Sequence, residues 1–127
     1  MTKNIPKEVL VVEDEPFIRM VAADALADSG IMAWEAENAS EALAVLDAHP
    51  AIGLVFTDVN MPGPMDGLAL AREVHQRRPD VELIVTSGAV KVPDEALPDS
   101  GTFLPKPYPT ARLVNIVARK LDSTGKA

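Results

Sequence analysis

A small set of acidic, hydroxyl and basic residues, far apart in the sequence, shares one kind of position. Each follows or ends a short apolar run of the kind that forms a buried strand. The set is Glu13, Asp14, Asp58, Thr86 and Lys106. In parallel sheets the carboxyl ends of the strands lie on one edge, and ligands bind beyond that edge. We therefore expect three carboxylates, a hydroxyl and an ammonium group to converge there.

Three carboxylates that converge need a positive partner. Two carboxylates about 4 Å apart repel by roughly 4 kcal/mol at an effective dielectric constant near 20. The group must therefore be protonated or neutralised. A hard divalent cation with oxygen ligands neutralises it, and Mg2+ is the usual partner of phosphoryl groups. The set therefore predicts a Mg2+ site, in which Mn2+ or Ca2+ can substitute, with Lys106 as a second positive charge beside a bound phosphate.

Each of these residues also has an ordinary structural explanation when it is taken alone. Acidic residues often follow strands because the chain leaves the core there. Asp58 could form a turn or a cap, Thr86 could be a strand threonine, and Lys106 could be a solvated loop residue. Four of the five predicted strand ends carry the set, however, and this favours a common site.

Strand and helix patterns alternate along the chain, and this alternation would bring the strand ends together. Short apolar runs rich in β-branched residues predict strands at residues 9–12, 31–36, 52–56, 81–85 and 102–104. Apolar residues recur at helical spacing between and after these runs. The pattern predicts an α/β fold with a mostly parallel sheet that is covered on both faces. The segment from 88 to 101 departs from it, because Pro93 and Pro98 leave room for about one helical turn.

Composition and missing motifs exclude several other classes of protein. A chain of 127 residues suits one domain, expected over 1–127 with its core at about 7–121. A net charge of −7 argues against direct binding to nucleic acid. The absence of cysteine excludes disulfides and thiolate metal sites. We see no signal peptide and no apolar run long enough for membrane insertion, so we expect a cytoplasmic protein. The turn after the first strand is acidic and lacks the glycines of nucleotide-binding loops.

Four sequence blocks, in order, resemble the signatures of bacterial response-regulator receiver domains of the CheY-like type. The blocks are VLVVEDE, VFTDVNMPGPMDG, LIVTSG and FLPKPY. The resemblance extends over nearly the whole chain. It implies a flavodoxin-like (βα)5 fold with a doubly wound five-stranded sheet in the order 2-1-3-4-5. The pattern between 88 and 101 would make the fourth helix of that fold short or degenerate.

The resemblance also assigns roles to individual residues by their positions in the blocks. Asp58 would accept a phosphoryl group, Lys106 would pair with a phosphoryl oxygen, and Thr86 would donate its hydroxyl to that group. Asp14 would bind Mg2+ directly, and Glu13 would do so through water. The remaining metal ligands would be Asp58 and the main-chain carbonyl of Asn60.

Three further features belong to the same comparison of blocks. Phe103 matches an aromatic residue that changes rotamer in the family, although a plain core aromatic explains it equally well. Pro107 matches the family's cis proline. The loop MPGPMDG is one residue longer than the family's usual form, which changes the surface near Gly63.

The implied function is that of a conformational switch in a two-component phosphorelay, not that of an enzyme. A sensor histidine kinase or histidine phosphotransfer protein would donate a phosphoryl group to the nucleophilic carboxylate of Asp58. Phosphorylation would be self-catalysed, autodephosphorylation would be slow, and an unknown downstream protein would receive the signal. We expect a stand-alone receiver. The alternatives are a receiver fragment of a hybrid kinase, an interaction module that is never phosphorylated, and a metal-dependent hydrolase.

Overall fold

The computed structural model describes residues 8–88, 92–93, 97 and 101–124, in which helices cover both faces of a central sheet. The strands are Glu8–Val12 (β1), Ala33–Ala36 (β2), Ile52–Asp58 (β3), Glu82–Ser87 (β4) and Thr102–Pro105 (β5). The helices are Pro16–Asp28 (α1), Ala39–Ala48 (α2), Gly67–Arg77 (α3) and Thr110–Thr124 (α4). No helix among these residues is long and apolar enough to cross a membrane.

The sheet has the order β2-β1-β3-β4-β5, and every pair of neighbouring strands is parallel. The predicted α/β class and strand order are therefore confirmed. The predicted strand bounds agree with the observed ones within two residues. The segment between 88 and 101, expected to hold a short or degenerate fourth helix, lies mostly outside the described residues, so that expectation stays a prediction. Val92 and Leu97 within it are buried against the core.

Both faces of the sheet are buried. Successive residues of a strand point to opposite sides, so each central strand contributes side chains to both faces. In β1, Leu10 and Val12 belong to one hydrophobic cluster, whereas Val9 and Val11 belong to the other. The first cluster includes buried residues of α2 and α3, and the second includes buried residues of α1 and α4. Strands buried on both faces read as continuous apolar runs, and this is why the sequence predicted them.

Arg78 secures the entry to β3, the strand that ends at Asp58. Its guanidinium nitrogens donate hydrogen bonds to four main-chain carbonyls at distances between 2.6 and 3.4 Å. The carbonyls belong to Leu46, His49, Pro50 and Ile52. The end of α3 is thereby tied to the turn that leads from α2 into β3.

Gly67 lets α3 begin directly against the end of β3. Its main-chain nitrogen donates to the carbonyl of Val59 at 2.9 Å. A Cβ atom at this position would lie 2.7 Å from the carbonyl carbon of Asp58 and 2.8 Å from Cα of Val59. No side chain fits there, so glycine is what allows this close approach beside Asp58.

Tyr108 packs on the side of the sheet that α1 and α4 cover. Its ring meets Phe56 edge-on, with ring centroids 5.8 Å apart and an interplanar angle of 79°. Burial raises the pKa of the Tyr108 phenol to about 12, since the charged phenolate would lose solvation there.

Because the chain has a single tyrosine, the ionisation of Tyr108 can be followed by ultraviolet absorbance without ambiguity. We expect the phenolate to form near pH 12 in the folded protein and near pH 10 in urea. The folded state keeps the proton that the unfolded chain releases, so the stability from this group is present below pH 10. That contribution is lost as the pH rises through about 12. In Tyr108→Phe, the loss of folding stability between about pH 10 and pH 12 should be smaller than in the wild type. Equal losses of stability in variant and wild type would show that Tyr108 is not the group responsible.

Candidate functional site

The sheet brings the predicted residues to one edge through its register. Asp58 at the end of β3 lies opposite Thr86 in β4, and Ser87 lies opposite Pro105 at the end of β5. Lys106 follows directly, and its main-chain nitrogen donates to the carbonyl of Ser87 at 3.1 Å. The ends of three neighbouring strands therefore lie side by side at this edge.

The three predicted carboxylates form one acidic cluster. Glu13, Asp14 and Asp58 each contribute an oxygen, and these oxygens all lie within 4.8 Å of one another. Glu13 and Asp58 are each only 5% exposed, whereas Asp14 faces solvent. Carboxylate oxygens at this spacing, open to solvent on one side, form a donor set that suits a hard divalent cation.

Lys106 bridges the two buried carboxylates. Its Nζ donates to Asp58 Oδ2 at 2.7 Å and to Glu13 Oε1 at 3.0 Å. Burial raises the pKa of Glu13, the hydrogen bond from Lys106 opposes this, and the charge of Asp58 adds to it. Burial lowers the pKa of Lys106, but the hydrogen bonds to Asp58 and Glu13 and the negative charges of these two carboxylates together outweigh burial and raise the pKa overall. One lysine thus faces three carboxylates, and a divalent cation would balance the excess negative charge.

Thr86 carries the most informative polar atom in the site. The residue is 1% exposed, and its Oγ1 has no hydrogen-bond partner among the described residues. Leaving such a group unpaired costs about 1–3 kcal/mol, and buried polar groups without a partner require an explanation. An anion attached to Asp58, the residue opposite in the β3–β4 register, would supply the missing acceptor. The arrangement therefore fits a phosphoryl group on this carboxylate.

The remaining predicted residues also surround or adjoin the cluster. The main-chain nitrogen of Asn60 donates to Asp58 Oδ1 at 3.0 Å, while its carbonyl as a metal ligand stays a prediction. The Lys106–Pro107 peptide bond is cis, as the resemblance predicted. Phe103 is partly buried, lies opposite Val85 and packs against a core cluster, so its switching role stays a prediction.

Sequence reasoning missed two residues that hold the turn after β1. Arg19 Nη1 donates to the main-chain carbonyl of Glu13 at 2.7 Å, and Arg19 Nε donates to Glu35 Oε1 at 3.1 Å. Neither residue ends a strand or matches a motif. Contacts that a long side chain makes with a main-chain oxygen or with a carboxylate on another strand leave no pattern in the spacing of residues.

Comparison with known proteins assigns the family. A sequence model of the response regulator receiver domain matches residues 9–118. The chain is 36% identical over 118 residues to the DNA-binding transcriptional regulator NtrC of Salmonella typhimurium. This alignment covers 90% of this chain and 24% of NtrC. It is 31% identical over 118 residues to the response regulator receiver protein CpdR of Brucella abortus, covering 91% of this chain and 97% of CpdR.

A solved structure agrees with these relatives. The crystal structure of the receiver domain of NtrX from Brucella abortus superposes with a TM-score of 0.83 at 32% identity, covering 91% of this chain and 99% of that domain. The chain spans about a quarter of the length of NtrC and of other curated relatives. The family match, the receiver protein CpdR and the shared fold lead to one conclusion: the chain belongs to the response-regulator receiver domains of two-component systems.

Proposed function

We propose that this receiver is a phosphorylatable switch in which Asp58 accepts a phosphoryl group beside a bound Mg2+ ion. The observation that carries the proposal is the pairing of a buried carboxylate with a buried hydroxyl that has no partner in the described part of the chain. Asp58 supplies the carboxylate, and Thr86 opposite it supplies the hydroxyl. The contact of Lys106 with Asp58 supports a role for Lys106 beside a phosphoryl oxygen.

Residues of the acidic cluster would hold the metal. Asp14 and Asp58 would bind directly, Glu13 would bind through water, and the main-chain carbonyl of Asn60 would complete the protein ligands. Bound Mg2+ would neutralise the carboxylates and stabilise charge on the transferring phosphoryl group. Mn2+ or Ca2+ would substitute, because both also accept carboxylate and carbonyl oxygens.

The chain's own residues would perform the transfer. A carboxylate oxygen of Asp58 attacks the phosphorus of a phosphohistidine, the new O–P bond forms, and the P–N bond to the imidazole breaks. Lys106 is held 2.7 Å from Asp58 Oδ2 and can move from that oxygen to one of the phosphoryl oxygens. Thr86 then donates its hydroxyl to another phosphoryl oxygen, which satisfies its unpaired Oγ1. Water later hydrolyses the acyl phosphate, which returns Asp58 to its free carboxylate and resets the switch. Because this step would be slow, the protein would act as a phosphoacceptor and not as a turnover enzyme.

Phosphorylation would switch the conformation through the two strands that carry these groups. Thr86 lies in β4, and its neighbour Val85 lies opposite Phe103 in β5. A shift of Thr86 toward the phosphoryl group would therefore disturb the packing of Phe103 against the core. A difference of a few kcal/mol between two conformations is enough to change which one dominates.

Intact-protein mass after incubation with acetyl phosphate tests this proposal. We expect one added phosphoryl group in the presence of Mg2+, and none without Mg2+ or in Asp58→Asn. Asp66→Asn is a matched control, because Asp66 is an exposed aspartate that caps α3 and asparagine keeps the capping oxygen. An adduct on Asp58→Asn would contradict the assignment of the acceptor. Bound Mg2+ without any adduct would favour the module that is never phosphorylated, and steady turnover of phosphoesters would favour the hydrolase.

The phosphodonor partner must dock beside the site, because its phosphohistidine has to come within bonding distance of Asp58. An exposed apolar surface of α1 lies there, and Phe17 is 67% exposed on it. With residues near the end of β5 this surface lines a groove of about 260 Å3. The groove residues include Phe17, Ile18, Val21, Lys106, Pro107 and Tyr108. We propose that a sensor histidine kinase or a histidine phosphotransfer protein docks on this groove.

Replacing Phe17 by alanine separates docking from chemistry. We expect transfer from the cognate kinase or phosphotransfer protein to slow by about tenfold, equivalent to about 1.4 kcal/mol of docking energy. Phosphorylation by acetyl phosphate should be unchanged, because this small donor needs no docking surface. Met32→Ala is the control, since Met32 is 47% exposed but lies before β2, at the opposite end of the sheet. Equal slowing with both donors would show that Phe17 supports the site and not the partner.

We also propose that residues 1–127 form a single receiver domain that acts in the cytoplasm as a stand-alone regulator, without direct contact to nucleic acid. CpdR supports this, since it is a receiver protein covered over 97% of its length. The alternative is a receiver within a longer kinase, and the reading frame of the gene distinguishes the two.

A further inference from the structure

The peptide unit between Glu13 and Asp14 joins two carboxylates of the acidic cluster, and Arg19 holds it. Arg19 Nη1 donates to the main-chain oxygen of Glu13 at 2.7 Å. That oxygen belongs to the peptide group whose nitrogen is that of Asp14. Because the peptide group is planar, a restraint on its oxygen also restrains the orientation of the whole unit. The plane in turn sets the directions in which both side chains leave the backbone.

The two carboxylates differ in what else holds them. The main-chain nitrogen of Glu13 donates to the carbonyl of Ala36 at 3.0 Å. Its carboxylate accepts from Lys106 at 3.0 Å and from the main-chain nitrogen of Glu15 at 3.2 Å. Asp14 is exposed, and within the described residues no hydrogen bond fixes its carboxylate. The direction of Asp14 therefore depends on the peptide unit before it.

The position of Arg19 is not explained by the helix that carries it. Arg19 lies near the N-terminus of α1, where the helix dipole disfavours a positive side chain. Its guanidinium is instead forked between two acceptors on separate segments, the carbonyl of Glu13 and the carboxylate of Glu35 in β2. The Arg19 side chain is 17% exposed and that of Glu35 is 45% exposed, so this ion pair is partly shielded from solvent. Arg19 reaches the two acceptors with two different nitrogens of one rigid, planar group, whereas a lysine would have to reach both with a single nitrogen on a flexible side chain.

We infer that Arg19, held by Glu35, is a positioning residue for the metal site. It keeps the Glu13–Asp14 peptide unit in the orientation in which both carboxylates would face one bound cation. The inference rests on the proposed function, because it takes the acidic cluster to be a Mg2+ site. Removing a hydrogen bond that orients a metal ligand typically lowers metal affinity by about 10- to 100-fold.

A Mg2+ titration of the full chain without any phosphodonor tests the inference, with backbone amide resonances as the readout. We expect Arg19→Gln to weaken Mg2+ binding by about tenfold and Arg19→Lys to weaken it less. Arg72→Gln is the matched control, because Arg72 is an exposed arginine on α3. This variant should bind Mg2+ with the same affinity as the wild type. Glu35→Ala should also weaken binding, since it removes one of the two acceptors that hold the guanidinium.

The Mg2+ dependence of phosphorylation by acetyl phosphate separates positioning from general structural support. In Arg19→Gln the Mg2+ concentration for half-maximal rate should rise about tenfold, while the rate at saturating Mg2+ stays within about twofold of wild type. Loss of the rate at all Mg2+ concentrations, together with a lower melting temperature, would contradict a positioning role. If Arg19→Gln does not fold, Glu35→Ala decides, because Glu35 is the more exposed partner.

The outcomes for the inference and for the proposed function can be told apart. A wild type that binds Mg2+ and takes up one phosphoryl group, with Arg19→Gln and Glu35→Ala binding Mg2+ equally well, would overturn only the inference. A wild type that binds Mg2+ but takes up no phosphoryl group would overturn the proposed function and leave the Mg2+ titration to decide the inference. A wild type that does not bind Mg2+ would overturn both.

Discussion

The double contact of Lys106 with Asp58 and Glu13 is the interaction on which the site depends. Two carboxylates that are each 5% exposed could not both stay ionised this close together without a partner. Lys106 Nζ lies 2.7 Å from one and 3.0 Å from the other, and it supplies that partner. It offsets only part of the negative charge, because Asp14 brings a third carboxylate to the cluster. The site is thus stable enough to form and still has an excess of negative charge that favours a divalent cation.

The strand order makes this contact possible. β4 lies between β3 and β5, so the residue after β5 is one strand removed from Asp58. Only a long side chain such as that of Lys106 can reach across this distance. Thr86 lies in the intervening strand, with its hydroxyl buried and unpaired among the described residues. Under the proposed function, Lys106 from just after β5 and Thr86 from β4 would bind the same group on Asp58.

Much of this arrangement could be predicted from the sequence, because strands buried on both faces leave continuous apolar runs and their polar ends are easy to find. The strand order had a different source. Alternation of strands and helices is compatible with several orders, and the order 2-1-3-4-5 came from the resemblance to receiver domains. Contacts of long side chains with distant main-chain oxygens were not predictable. Arg78 reaches main-chain carbonyls 26 to 32 residues away. The contact of Arg19 with the side-chain carboxylate of Glu35, 16 residues away, was equally unpredictable. Gly67 was expected only in a loop, and its close approach to Asp58 required the three-dimensional fold.

A crystal structure with Mg2+ and beryllofluoride, which mimics a phosphoryl group on a carboxylate, tests the central claim most directly. We expect the mimic on Asp58, with Thr86 Oγ1 donating to one fluoride and Lys106 Nζ moved from Asp58 Oδ2 to another. The unpaired hydroxyl would then have its partner, and the lysine would have exchanged one anion for another. A structure in which the mimic binds elsewhere, or in which Lys106 keeps both carboxylates and Thr86 Oγ1 stays unpaired, would contradict the account.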